Sequence, residues 1–305
     1  MKNNEFNELI IKDAIDRVEE CCAELTTMVM KKPHLHIIAT SNDGPSEVYM
    51  NGKIKTAAKF GLEATKHVVT PDTIMTKLTE LSKDLNNKII IQLPLGNQED
   101  YPRLAEMLEL IHPMQDVDGF TVPMIDINSM DTANDFITHP TFSPTAKGVL
   151  LLNMMVDDVI KGKEVAIVGK GLTSGLPITT MYNQLGATVH TINSKTKADV
   201  KYKAFETSDI IVSCAGSDMT ILESSHLYAD KICINVGMRR ENNKLVGDLD
   251  YDTVSKYSKF INPVIGSTGK LTTLFLIYNC LALQMTHELV AYNDELKGVN
   301  DNERV

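Results

Sequence analysis

The sequence predicts an α/β protein with parallel sheets and two domains, on three observations. Short runs rich in β-branched residues alternate with segments of helical period nearly throughout, as in sheets whose strands are joined by helical crossovers. One apolar run, 165–168, passes directly into a glycine-spaced turn and then a helix. At 305 residues the chain exceeds the usual size of one domain, so two cores are expected.

Taken in order, Phe6, Leu9, Ile10, Ala14, Val18, Cys21, Leu25, Met28 and Val29 recur at helical intervals and predict a helix over 5–30, ended by Lys31-Lys32-Pro33. The apolar run 34–39 predicts a strand, and 46–60 a helix with Gly61 as its terminator. A strand at 67–69, a helix opened by Pro71 and a strand at 88–93 complete one α/β unit. Residues 121–142 carry Pro123, Pro140 and several Asn and Asp, and predict a loop-rich connection. A helix over 144–160 bridges to a second unit with strands at 164–168, 188–192, 209–213, 231–236 and 259–261. The apolar stretch 271–292 has the length of a final helix.

Bulk composition excludes several classes. A formal net charge of −10 argues against nucleic acid or an anionic membrane as partner, because both reward a basic footprint. Neither an apolar secretory core after Met1-Lys2-Asn3-Asn4-Glu5 nor a run of roughly 18 unbroken apolar residues is present, so a cytoplasmic protein without a membrane segment is expected. The five cysteines lack CxxC or Cys/His spacing and read as reduced core thiols, with no metal site implied.

The turn Gly169-Lys170-Gly171-Leu172-Thr173-Ser174-Gly175 has the spacing G-x-G-x-x-x-G. Glycines there let backbone approach a phosphate, and the following helix N-terminus offers free N–H groups and a positive dipole end. A plain tight strand-to-helix connection uses glycine too, but the apolar strand before this turn favours nucleotide binding. At the end of the next strand, Asn193-Ser194-Lys195-Thr196-Lys197 carries no acid for a ribose 2′-hydroxyl. Its hydroxyls and cations suit a 2′-phosphate instead.

Tyr49 and Lys53 stand four apart, so a phenol and an amine share one helix face. Alone, that spacing equally describes a solvated face. Read with Gln92-Leu93-Pro94-Leu95, with Asp116-Val117-Asp118-Gly119-Phe120 and with the glycine turn, the order resembles the bifunctional methylenetetrahydrofolate dehydrogenase/cyclohydrolase family over most of the chain. Ser46 matches as well.

The resemblance implies an N-terminal three-layer α/β catalytic domain over 1–143, a Rossmann-like NADP-binding domain over 144–271, and a C-terminal helix, 272–296, packing back on the first domain. It further implies NADP as cofactor, tetrahydrofolate derivatives with polyglutamate tails as substrates, a place in one-carbon metabolism and purine biosynthesis, and a homodimer. By resemblance, Lys53 is the principal catalytic group, Tyr49 stacks near the pterin, Gln92 steers the lysine's protonation and Asp118 accepts from pterin donors. Gly169, Lys170, Gly171 and Gly175 form the cofactor loop, and Ser194 contacts the 2′-phosphate.

Departures cluster around the expected cofactor side. Lys170, Gly171 and Ser174 replace the Arg, Ser and Val of G-R-S-x-x-V-G-x-P, Ser143-Pro144-Thr145-Ala146-Lys147-Gly148 replaces P-C-T-P-x-G, Pro263-Val264-Ile265-Gly266-Ser267-Thr268-Gly269-Lys270-Leu271-Thr272 replaces P-V-P-G-G-V-G-P-M-T, Gln115 stands for a Lys, and Asn235 for the Asp of V-I-D-V-G. Three alternatives to the bifunctional enzyme therefore stand at this point: a cyclohydrolase alone, an NAD-specific dehydrogenase, and a non-catalytic folate- or nucleotide-binding paralogue. Lys53 and Gln92 argue against the last, since a pure binder has little need of a tuned amine.

Overall fold

The computed structural model describes residues 3–40, 44–96, 98–121, 124–217, 225–242 and 244–302. Helix α1 (Asn3–Met28) leads to strand β1 (His34–Ala39), then α2 (Gly44–Lys59), β2 (Glu63–Val68), α3 (Ile74–Leu81) and β3 (Asn87–Ile91). Strand β1 lies between β2 and β3, parallel to both. Its residues from Leu35 on are buried, as a strand covered on both faces requires.

Differences from the sequence reading have local causes. Strand β2 starts at Glu63 and not at 67, because it is an edge strand whose half-exposed Thr65 and Lys66 hide the strand in a polar pattern. Helix α3 opens at Ile74, after a turn in which the Thr70 N–H donates to Thr73 Oγ1 at 2.9 Å, so Pro71 does not start it. Strand β3 stops at Ile91, although the Gln92 N–H still reaches Ile38 O at 2.8 Å.

After α4 (Leu104–Leu108), the stretch expected to be loop-rich contains α5 (Met124–Asn128) and α6 (Ala133–Thr138). A reciprocal cap nucleates α6: the Asp135 N–H donates to Thr132 Oγ1 at 3.2 Å, and Asp135 Oδ2 accepts from the Thr132 N–H at 2.8 Å. Helix α7 (Pro144–Val156) ends four residues before the expected 160. Then come β4 (Glu164–Val168), α8 (Gly175–Gln184), β5 (Thr188–Ile192), α9 (Ala198–Thr207), β6 (Ile210–Ser213), β7 (Ile232–Asn235), the strands β8 (Met238–Glu241) and β9 (Lys244–Gly247), α10 (Tyr251–Val254), β10 (Phe260–Ile261) and α11 (Thr268–Asn302). The antiparallel pairing of β8 with β9 was not expected, since Arg239, Arg240, Glu241 and Lys244 give it no apolar alternation.

Packing divides the chain into two units. The three-stranded unit comprises Glu19–Val122, Pro140–Phe142 and Leu276–Val305, with Ile38, Leu78, Ile89 and Met107 in its core. The five-stranded unit comprises Met1–Val18, Pro123–His139 and Ser143–Phe275, around Ala166, Phe205, Ile211 and Ile261. Its parallel strands run in the order β10-β7-β6-β4-β5, so the direction of winding reverses between β4 and β6. Ligands of such sheets bind outside the strand C-termini at that reversal.

From residue 276 on, α11 packs back on the three-stranded unit. Asn279 Nδ2 donates to Val117 O at 2.9 Å and Phe142 O at 3.0 Å, and the Glu288 carboxylate accepts from the N–H groups of Met30 and Lys31 at 2.9 and 2.8 Å. By length and composition, residues 268–294 of this helix are apolar enough to cross a membrane, although polar residues interrupt the apolar run. Leu276, Ile277, Cys280, Leu281 and Leu283 are nevertheless buried in the protein. Cys22, Cys233 and Cys280 are likewise buried, but Cys21 is exposed on α1, and Cys214 is partly so, correcting the reading of all five as core thiols.

Candidate active site

In the three-stranded unit, α2 carries Lys53, the exit of β3 carries Gln92, and the turn after Gln115 carries Asp118. The Lys53 ammonium donates to Gln92 Oε1 at 3.0 Å. Gln92 Nε2 is committed to Leu93 O at 2.9 Å, so the amide oxygen faces the lysine. Burial pulls the Lys53 pKa below the ordinary lysine value, opposed by the Asp118 carboxylate and then by Cys280. Burial pushes the Asp118 carboxyl up to about 6, with Lys53 opposing and Asp116 adding to the rise. The structure thus brings together Lys53, Gln92 and Asp118. The side chains of Tyr49 and Ser46 lie outside the described residues.

Asp116, whose part the sequence reading missed, sets where Asp118 stands. Its buried carboxylate accepts from the Gly119 N–H at 3.0 Å and the Thr121 N–H at 2.7 Å, closing the turn that carries Asp118. Gly119 has φ +74°, and a Cβ there would stand 2.0 Å from Thr141 O, so only glycine fits. An Asp-x-Asp-Gly run is a legible signal for such a turn. Cys280 and Asn279 were missed too, and no local pattern marks them, because α11 reaches this unit only by a long return. Gln115 in place of a lysine is structural: its Nε2 donates to Asp84 O at 2.9 Å and to Leu81 O at 3.3 Å.

In the five-stranded unit, the glycine turn leaves β4 at the reversal point. Gly169 sits at φ +113°, and a Cβ there would approach Cys214 O to 2.7 Å. Gly175 has Gly169 O 2.2 Å from its would-be Cβ, which packs the start of α8 against the strand end. Gly171 has nothing within 4 Å, so its backbone faces open space. Ser174 opens α8 without a side-chain cap; the Leu176 N–H donates to Gly171 O at 3.0 Å and Pro177 has no N–H, which leaves the Gly175 N–H at the helix start for a ligand. Those features fit a dinucleotide phosphate. Lys170 and Ser194 are exposed at adjacent strand ends, joined by the Gly169 N–H to Ile192 O bond of 2.8 Å. Ser143, at a departure from the family pattern, caps α7 by accepting from the Ala146 N–H at 3.4 Å.

Residues 7–118 match the model of the tetrahydrofolate dehydrogenase/cyclohydrolase catalytic domain, and residues 143–288 that of its NAD(P)-binding domain. The chain belongs to the tetrahydrofolate dehydrogenase/cyclohydrolase family. The bifunctional protein FolD of Mesoplasma florum is 32% identical over 289 residues, covering 90% of this chain and 96% of its own. The crystal structure of the bifunctional enzyme from Campylobacter jejuni superposes with a TM-score of 0.75 at 24% identity over 92% of this chain and 97% of that one. The Trypanosoma brucei dehydrogenase-cyclohydrolase, complexed with NADP cofactor and inhibitor, has a TM-score of 0.75 at 24% identity over 90% and 96%. Two α/β domains, as the alternation of strands and helices predicts, and a returning C-terminal helix, as the family resemblance implies, are the architecture observed for this family member.

Proposed function

We propose that this chain oxidises 5,10-methylenetetrahydrofolate to 5,10-methenyltetrahydrofolate with NADP, then hydrolyses the product to 10-formyltetrahydrofolate, with Lys53 as the proton-transfer group. The observation that carries the reading is the 3.0 Å bond from Lys53 to Gln92 beside Asp118, in a chain of this family. NADP, when bound, supplies the hydride acceptor, and Gly169, Lys170, Gly171, Gly175 and Ser194 are the residues that would hold it. A buried amine loses its proton nearer neutrality than an exposed one. Donating one N–H to Gln92 leaves its lone pair to take a proton from the water that attacks the methenyl carbon. Asp118, ionised above its pKa of about 6, accepts from the pterin's amino and ring N–H groups. Tyr49 belongs to the same proposal as the pterin's stacking partner.

NADP is favoured over NAD by Lys170, Ser194, Lys195 and Lys197 and by the missing acid after β5. NADP in the Trypanosoma brucei relative supports the same choice. Polyglutamylated folates, a homodimer, a cytoplasmic location and a division into 1–143 with 272–296 against 144–271 complete the reading. The test is absorbance assay of purified protein with methylenetetrahydrofolate and either nucleotide, and with methenyltetrahydrofolate alone. Faster turnover with NADP and hydrolysis without nucleotide are expected. Hydrolysis with no dehydrogenation reduces the chain to a cyclohydrolase, a preference for NAD removes the NADP assignment, and neither activity leaves a binding paralogue.

A further inference from the structure

A buried polar network joins the ends of β6, β7 and β10 beside the glycine turn, and no candidate site residue belongs to it. Asp248, fully buried, accepts at a single oxygen, Oδ2, from Ser213 Oγ at 2.9 Å, the Ala215 N–H at 2.7 Å and the Gly216 N–H at 3.1 Å. Its neighbour Leu249 is gripped at both backbone groups by Asn235, whose Oδ1 accepts the Leu249 N–H at 3.0 Å while Nδ2 donates to Leu249 O at 2.9 Å. Only an amide offers that donor and acceptor together, so the family's Asp at position 235 could not make both bonds as a carboxylate. Asn235 is in turn held by Asn262, through Asn235 N to Asn262 Oδ1 and Asn262 Nδ2 to Asn235 O, each 2.8 Å.

The turn anchored by Asp248 walls the cofactor loop. The Cys214 thiol donates to Gly169 O at 3.9 Å, and a Cβ on Gly169 would stand 3.1 Å from the Ala215 nitrogen. There is no slack behind it, since a Cβ on Gly237 would lie 2.0 Å from Asp248 Oδ2 and one on Gly247 2.5 Å from Asn235 Nδ2. A shift of Asp248 therefore reaches the glycine turn as a shift of its wall.

We propose that Asp248 is a positioning residue for the cofactor: its carboxylate fixes the turn 214–216 against the Gly169–Gly175 loop, and Asn235 fixes Asp248 through Leu249. This rests on the nucleotide reading of that loop. The experiment is calorimetric titration with NADP of the parent, Asp248→Ala, Asp248→Asn and Ser213→Ala, recording dissociation constant and stoichiometry separately. Asp248→Ala is expected to weaken NADP by at least roughly tenfold, the scale of one lost charged hydrogen bond, with stoichiometry intact. Asp248→Asn keeps an oxygen acceptor of the same shape and should recover most of that affinity, while Ser213→Ala, which removes one donor of three, should lose about two- to fivefold. A merely structural acid gives the opposite signature: stoichiometry falls as protein unfolds, while the folded remainder binds with the parent constant. That result, or a parent-like constant in Ser213→Ala together with no recovery in Asp248→Asn, overturns the proposal even where Asp248→Ala does not fold. Absence of NADP binding by the parent itself is a different failure, striking the nucleotide reading and carrying this inference with it.

Discussion

Lys53 and Asp118 are both driven by burial toward neutrality, and each is partly held in its charged form by the other. Lys53→Met keeps the stem and deletes the amine. The variant should still fold, with a melting temperature at or below the parent's because Asp118 loses its compensating charge, while methenyl hydrolysis falls by roughly 10²-fold or more. A folded variant hydrolysing at the parent rate would unseat Lys53. For Asp118 the sign follows from a carboxyl raised from 3.8 to about 6: the folded state holds the proton more tightly than the unfolded chain, so this group's contribution to stability declines as pH rises through 3.8 to 6 and stays lowered above. Asp118→Asn lacks that decline. Its melting temperature relative to the parent should therefore climb between pH 4 and 7, by about 2–4 °C per kcal/mol relieved, while folate binding weakens at neutral pH. A pH-independent gap in melting temperature, or unchanged folate affinity, contradicts the assignment. Of these residues the sequence showed identity and order, because Lys53, Gln92 and Asp118 each sit in a short recognisable run. Their mutual charge coupling was not legible, since it depends on a burial that no window of sequence contains.

At the scale of elements, the glycine turn separates two kinds of glycine by what surrounds them. Gly175→Ala forces a methyl to within 2.2 Å of Gly169 O, a backbone atom that cannot step aside, and should lower stability by about 1–3 kcal/mol in denaturant melts. Gly171→Ala meets nothing within 4 Å, so its stability should stay within about 0.5 kcal/mol of the parent. Its NADP dissociation constant should nonetheless rise by roughly tenfold or more, because the methyl enters the space a phosphate needs. Unchanged NADP affinity in Gly171→Ala would make the turn a plain connection. The same local logic explains what was and was not legible among the elements. Strand β4 and its turn are encoded within one short stretch, whereas β2 became a strand only because β1 offered a free edge to its polar residues. Helix α6 carried a readable Thr-x-x-Asp cap, hidden in a composition that reads as loop.

For the molecule as a whole, the C-terminal helix decides whether the three-stranded unit is complete. Residues 276–302 supply Asn279 to two buried carbonyls and Glu288 to two backbone N–H groups. A chain ended after Phe275 strands those partners and exposes the surface that Leu276, Ile277, Leu281 and Leu283 cover. It should lose cooperative unfolding of that unit and expose apolar surface to a dye, with unsatisfied buried groups alone costing about 1–3 kcal/mol each. Parent-like cooperative melting of the truncated chain would show that the helix is dispensable. Asn279→Leu is the milder probe of the same contact, expected to destabilise in the same direction. The sequence by itself determined the α/β alternation, the nucleotide turn after β4 and the family order of Lys53, Gln92 and Asp118, because each is written in residues near one another along the chain. Only the tertiary structure decided which strand lies at an edge, that Cys280 and Asn279 join the neighbourhood of Asp118, and that Asn235 and Asp248 brace the glycine loop. Those outcomes rest on burial and hydrogen bonds between segments tens to hundreds of residues apart, and such contacts exist only once the chain has folded back on itself.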